Sequence, residues 1–273
     1  MQFGCSLNSK TFMPEFTGNL DGYDPYEGLL QGYALMKRIG YDYIEASVGV
    51  VSDLTEAQLQ DLSQRSKDGS FELRYCNCFI PGRISLYDST VKEIHDFVDE
   101  TMRRFDLLQV RSVIFGSGAA RRCPDGMEKA QAIEKLSAFL RYCNTVGARY
   151  GIKTLIENLN QNETNMFNTV ADSADMMQTL NLPYVGILAD LFHMSMEQEN
   201  PQVLFDDCDL ISHIHVSETP GRVYPGKFAG EHFMQCIGKL REAGFDRDVS
   251  VECTFGDMES EAAAALKFLK ETF

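Results

Sequence analysis

Residues 151–158, GIKTLIEN, run apolar and then stop on an acid, Glu157. The same design returns three times further along the chain. YVGILAD at 184–190 ends on Asp190, ISHIHVS at 211–217 carries His215 near its end, and DVSVEC at 248–253 carries Glu252. Each run is short and rich enough in branched apolar residues to read as a β-strand. A core strand has no structural use for a terminal carboxylate, and clustered carboxylates repel one another unless a cation neutralises them. Three carboxylates and one imidazole from four successive strands form a ligand set for one hard or borderline divalent cation. Mn²⁺, Co²⁺ or Mg²⁺ is expected there ahead of Zn²⁺. An open doubly wound sheet would gather ligands at one crevice, whereas a closed barrel brings four neighbouring strand ends to one axis.

The rest of the chain repeats the alternation. Strands are expected at 2–7, 41–46, 71–79, 111–117, 152–159, 184–190, 211–217 and 248–255. Helices are expected at 25–39, 55–67, 89–108, 126–150, 169–180, 201–208, 231–243 and 258–272. Eight strand–helix units in 273 residues predict an α/β fold, a single (β/α)8 barrel spanning 1–273. Asp24 before Pro25 reads as a helix N-cap with proline at the first helical position. RIG-YDYIE (38–45) and EAG-FDRDVSVE (242–252) repeat one pattern of helix, glycine stop and strand. Long connections at 9–23, 80–88, 116–124 and 219–230 are expected on the catalytic face of the barrel.

Composition sets outer limits. The chain is 44% hydrophobic and 24% charged, ordinary for a globular protein. It has no apolar stretch near the roughly 18 to 20 residues that span a bilayer. The N-terminus MQFGCSLNSK lacks a signal-peptide pattern, and eight cysteines without a C-x-x-C pair suggest reduced thiols. A cytoplasmic protein with no membrane partner is the expectation. Cys76 and Cys78 are read as two small buried side chains on one strand face. A net charge of -15 argues against a nucleic-acid partner.

Strand parity refines the ligand assignment. In ISHIHVS, His213 and His215 share one face, while Ile214 and Val216 take the other. In DVSVEC, Ser250 and Glu252 face the axis. His213 falls one layer deeper than His215 and reads as a hydrogen-bonded interior histidine.

The segments IENLNQNETNMFNT (156–169), LADLFHM (188–194), HIHVSETPGR (213–222) and VSVECTF (249–255) together resemble the xylose-isomerase-like barrel superfamily. Within it the chain is most similar to ketose 3-epimerases of the tagatose and psicose type and to related sugar-phosphate isomerases. The resemblance runs through the second half of the chain; the first half matches in layout. It implies a metal-dependent sugar isomerase or epimerase, with one divalent ion held by Glu157, Asp190, His215 and Glu252. Glu157 and Glu252 are also the implied acid/base pair. Glu163, His193 and Arg222 match positions that touch substrate hydroxyls, although Arg222 lies one residue further from the histidine than in the epimerase pattern. A small sugar substrate and a homodimer or homotetramer are further implications.

The residue types suit the chemistry. Moving a stereocentre next to C=O requires loss of a carbon-bound proton, and a cation on the carbonyl oxygen stabilises the resulting enediolate. Carboxylates on opposite faces of the substrate can remove the proton and return one to the other side. The same ligands also suit a dehydratase of a cyclic polyol or keto acid, a hydroxypyruvate-type isomerase and, remotely, an apurinic-endonuclease-like nuclease. The nuclease needs extra histidines, but Asn77 and Gly116 stand at the ends of strands three and four. GSGAARR (116–122) offers small residues and two arginines that could hold a phosphate. With no tryptophan in the chain, Phe79 or Phe115 is the expected ring against the substrate. Phe97, Met102 and Phe105 read as core.

Overall fold

The computed structural model describes residues 1–7 and 24–273. Among these residues, eight parallel strands close into a barrel in chain order. They are β1 Phe3–Leu7, β2 Tyr43–Ser47, β3 Leu73–Asn77, β4 Ser112–Phe115, β5 Lys153–Glu157, β6 Val185–Asp190, β7 Ile211–Val216 and β8 Val249–Val251. β1 pairs with both β2 and β8, so no edge is left open. The fold is the expected (β/α)8 barrel. Several strands are shorter than the apolar runs suggest, because the run continues into the loop. β8 stops at Val251 and leaves Glu252 on the rim.

The eight expected helices are present, although the one expected at 201–208 is reduced to Val203–Asp206 followed by a 3-10 turn at Cys208–Leu210. Three short helices were not expected: Val48–Ser52, Gly118–Arg121 and Leu191–Glu197. None is long enough to show a helical repeat of apolar residues. Of the long connections, the one at 9–23 lies outside the described residues. Helix punctuation follows the sequence. The Asp24 carboxylate accepts from the Tyr26 N–H at 2.9 Å, and Gly40 closes the first helix at φ 110°, a conformation that costs any other residue a steric penalty.

Two cores result from the period-two alternation of the strands. Outward residues such as Val113, Phe115, Ile156, Ala189, Ile214 and Val249 join one large cluster with the helices. Met102 and Phe105 are fully buried in it, with Phe97 packed against it at partial exposure. Inward residues Tyr43, Tyr75, Ile114, Leu155 and Leu188 form a separate apolar plug inside the barrel. Glu157, Asp190 and His215, with Glu252 just past β8, stand above this plug at the carboxyl ends of the strands.

The plug depends on Gly4. A Cβ at that position would lie 2.0 Å from the Tyr43 ring. That ring cannot withdraw easily: its hydroxyl bonds Ser250 Oγ at 3.2 Å, Tyr75 tilts against it, and the Arg74 guanidinium sits over it at 4.3 Å. Gly4→Ala is therefore expected to cost about 2–3 kcal/mol, as overpacking a rigid interior does. The urea midpoint should fall accordingly, and an unchanged midpoint would show that the plug can yield.

Candidate metal centre and active site

Glu157 and Asp190 are the last residues of β5 and β6, His215 is the penultimate residue of β7, and Glu252 follows β8 directly. Their donor atoms all lie within 4.8 Å of one another. His215 Nδ1 is the hub, at 3.1 Å from Glu157 Oε1, 2.9 Å from Glu252 Oε2 and 4.0 Å from Asp190 Oδ2. Three acids around one imidazole nitrogen, with Asp190 and His215 fully buried, are the donor chemistry of a divalent-cation site. The four residues fit one such ion.

Neighbouring groups hold each donor. Glu157 has room because residue 116 is glycine: a Cβ there would lie 2.0 Å from Glu157 Oε2. Asp190 divides its two oxygens. Oδ1 caps the helix Leu191–Glu197 by accepting from Phe192 N (2.8 Å) and His193 N (3.3 Å), which leaves Oδ2 for the cluster. Asn158 fixes its backbone through two hydrogen bonds between β5 and β6. Glu252 Oε1 accepts from Asn77 Nδ2 at 2.9 Å.

Electrostatics separate the two glutamates. Burial raises the Glu157 pKa above its usual range, and the nearby Glu252 and Asp190 charges add to this against the pull of His215. Burial would raise Glu252 too, but the charges of His215 and Arg222 outweigh it and hold that carboxyl well below the usual range. Burial opposes protonation of His215, yet Glu45 and Glu252 overcome it and raise its pKa well above normal.

Of the three residues expected to touch substrate, His193 and Arg222 reach this cluster, and Glu163 stands behind His193. His193 is fully buried, and its Nδ1 accepts from the backbone N–H of Asn160 at 3.1 Å. Its proton is therefore on Nε2, which lies 3.5 Å from Asp190 Oδ2 and makes no hydrogen bond among the described residues. That leaves a buried donor beside the acids. His193 stands on the short helix Leu191–Glu197. Arg222 Nη2 donates to Asp190 Oδ2 at 2.9 Å and Glu252 Oε2 at 2.6 Å. Glu163 is half exposed, its Oε1 at 3.2 Å from Asn160 Nδ2 and 3.9 Å from His193 Nδ1. Glu218 organises the loop that carries Arg222, its carboxylate accepting from the backbone of Gly226 and Gly230.

Beside the acids opens a cavity of about 620 Å³ whose wall includes Ser47, Asn77, Ile80, Ser117, Glu252 and Phe255. Four expectations need correction here. Arg121 cannot hold a phosphate: it is fully buried and donates to the carbonyls of Phe115 and Glu157, both at 2.7 Å. Phe79 and Phe115 face the helices and pack on Phe139, so neither meets the cavity. Among the described residues, the ring in the cavity wall is Phe255. Cys78 lies beyond β3 at φ 54°, exposed on the cavity wall rather than buried beside Cys76.

The sequence reading missed Glu45, the third residue of β2. It is fully buried, with Oε1 at 2.9 Å from His215 Nε2. The signal was available, because the repeat of YDYIE against DVSVE sets Glu45 opposite Glu252 in the pattern.

Residues 33–272 match the xylose isomerase-like TIM barrel family, and the chain belongs to it. It is 36% identical over 92 residues to the 3-dehydro-D-guloside 4-epimerase of Escherichia coli K12, covering 33% of this chain and 35% of that enzyme, about a third of its length. It is 24% identical over 262 residues to a probable ketose 3-epimerase of Synechocystis, covering 87% and 88% of the two chains. In fold it resembles the D-allulose 3-epimerase of Methylomonas in complex with D-allulose, with a TM-score of 0.81 at 17% identity over 100% and 97% of the chains. Both of these curated relatives are named as sugar epimerases.

Proposed function

We propose that the chain is a divalent-metal-dependent sugar epimerase, with 3-epimerisation of a free ketose as its leading reaction. The observation that carries this reading is the placement of two glutamates, Glu157 and Glu252, on either side of His215 Nδ1 at 3.1 and 2.9 Å. A sugar lying against the cluster would have one carboxylate at each face of the carbon beside its carbonyl. Glu252 removes the proton from one epimer and Glu157 returns one to the opposite face; for the other epimer the roles exchange. In this reading His193 Nε2–H and the Arg222 guanidinium bind hydroxyl or carbonyl oxygens, and Glu163 accepts from a hydroxyl at the rim. A cation held by Glu157, Asp190, His215 and Glu252 would polarise the carbonyl and adjacent hydroxyl oxygens. The oxygen-rich donor set favours Mn²⁺, Co²⁺ or Mg²⁺ over Zn²⁺.

A second reading keeps the chemistry and enlarges the substrate. The cavity of about 620 Å³ lies in the middle of the range for small-molecule sites, about 300–1,000 Å³. It leaves space beyond a single sugar ring. The partial match to a 4-epimerase of a dehydro-guloside favours a keto-glycoside as that larger substrate.

Elemental analysis after reloading with Mn(II), Co(II), Mg(II) or Zn(II) tests the site first. One ion per chain is expected, and a Glu157→Gln/Asp190→Asn double variant should lose it. Ketoses and keto-glycosides are then screened in deuterated water, with label expected at the carbon beside the carbonyl. Loss of water from the product would instead mark a dehydratase, and no bound ion would overturn the proposal.

A further inference from the structure

We propose that Glu45 is a positioning residue for the cation site, fixing the proton of His215 on Nε2 so that Nδ1 presents its lone pair to the ion. The inference rests on the metal-dependent reading above. His215 has an acid at each ring nitrogen, with Glu157 and Glu252 at Nδ1 and Glu45 at Nε2, 2.9 Å away. An imidazole that ligates through Nδ1 must keep its proton on Nε2, and a carboxylate acceptor there orients the ring and makes the other nitrogen more basic.

The surroundings of Glu45 leave it no other evident purpose. The histidine below is committed elsewhere. His213 Nδ1 donates to the Asp248 carbonyl at 2.9 Å, so Nε2 carries the lone pair and accepts from Ser250 Oγ at 3.1 Å. Ser250 in turn accepts from the Tyr43 hydroxyl at 3.2 Å, and Tyr75 stacks on the His213 ring at 4.0 Å. Glu45 Oε2, 3.4 Å from His213 Nε2, makes no hydrogen bond among the described residues. The donor that reaches Glu45 is therefore His215. A fully buried carboxylate with one donor among the described residues is a poor structural device, since it carries a desolvation cost that an apolar pair in place of Glu45 and His215 would not. Its value lies in what it does to His215. Glu45, His213 and His215 do not themselves make a second ion site: His213 Nε2 accepts from Ser250 Oγ, and a His215 that ligates through Nδ1 keeps its proton on Nε2.

Mn(II) titration of the parent, Glu45→Gln and Glu45→Leu by calorimetry tests this, together with nitrogen-15 NMR of the histidine rings and thermal melts. Glu45→Leu leaves the His215 Nε2–H without an acceptor, so it should melt lower than the parent and bind Mn(II) about 10- to 100-fold more weakly. At a pH where the metal-free ring is neutral, its His215 should lose the pure Nε2–H form. Glu45→Gln keeps a carbonyl acceptor, so its loss should be smaller; it also serves if the leucine variant does not fold. Parent-like affinity and an unchanged His215 tautomer in Glu45→Leu would overturn the proposal. So would two ions per parent chain with one lost in the variant, which would make the trio a metal site. A parent that binds no ion would instead defeat the functional reading beneath it.

Discussion

Glu252→Gln should lower epimerisation by about 10³-fold or more at saturating metal, since a positioned general acid or base contributes about 10² to 10⁴-fold. The substitution preserves volume. Its single amide oxygen can serve Asn77 or Arg222, which bond different Glu252 oxygens, and Arg222 keeps Asp190, so the rim of β8 should keep its shape. It removes the basic oxygen that faces one side of the substrate. Two carboxylates on opposite faces predict more than a slow enzyme. The epimer whose hydrogen points at Glu157 should still exchange it for deuterium, but without inversion, because nothing on the other face can deliver a proton. The second epimer should neither exchange nor invert. Proton NMR in deuterated water reads both quantities in one experiment. Full turnover, or inversion at an undiminished rate with either epimer, would sink the two-carboxylate mechanism.

The asymmetry of the site explains what was legible in the sequence. Glu157, Asp190, His215 and Glu252 each end or nearly end an apolar run, and alternation along a strand leaves little freedom in where their side chains point. Strand parity also separates His213 from His215, because the deeper histidine shares its face and lands one layer down, beside Ser250. Glu45 obeys the same pattern and went unread, since a single acid on a strand with no further motif looks like ordinary packing. The roles of Arg121 and Phe115 could not be read locally. A basic glycine-rich loop looks like a phosphate site, yet the carbonyls that bury Arg121 belong to residues 115 and 157, on β4 and β5. Burial pushes its pKa down to about 10, which still leaves a cation, spent on the barrel wall. The helix Leu191–Glu197 was hidden because its N-cap is Asp190, a residue already assigned to the site.

Gly116→Ala should lower kcat/KM by about 10²-fold or more, the scale of a 1 Å misplacement of a reacting group. The fold should survive it. The new Cβ would lie 2.0 Å from Glu157 Oε2 and 3.2 Å from its Cδ, with Leu159 next at an ordinary 3.8 Å. Something has to move, and the carboxylate end is what can. The backbone of Glu157 is fixed by the β5 ladder and by Arg121, which donates to its carbonyl at 2.7 Å. The Glu157 carboxylate, by contrast, has one hydrogen bond among the described residues, to His215 at 3.1 Å. Pushing it aside spoils both a cation ligand and a proton carrier while leaving the apolar plug untouched. Mn(II) affinity should therefore fall together with activity, and the melting temperature should barely change. Gly4→Ala offers the opposite case, with a contact as short but against a locked aromatic ring, so stability should fall there. An active, tightly metal-binding Gly116→Ala variant would mean that the Glu157 carboxylate does its work from some other position.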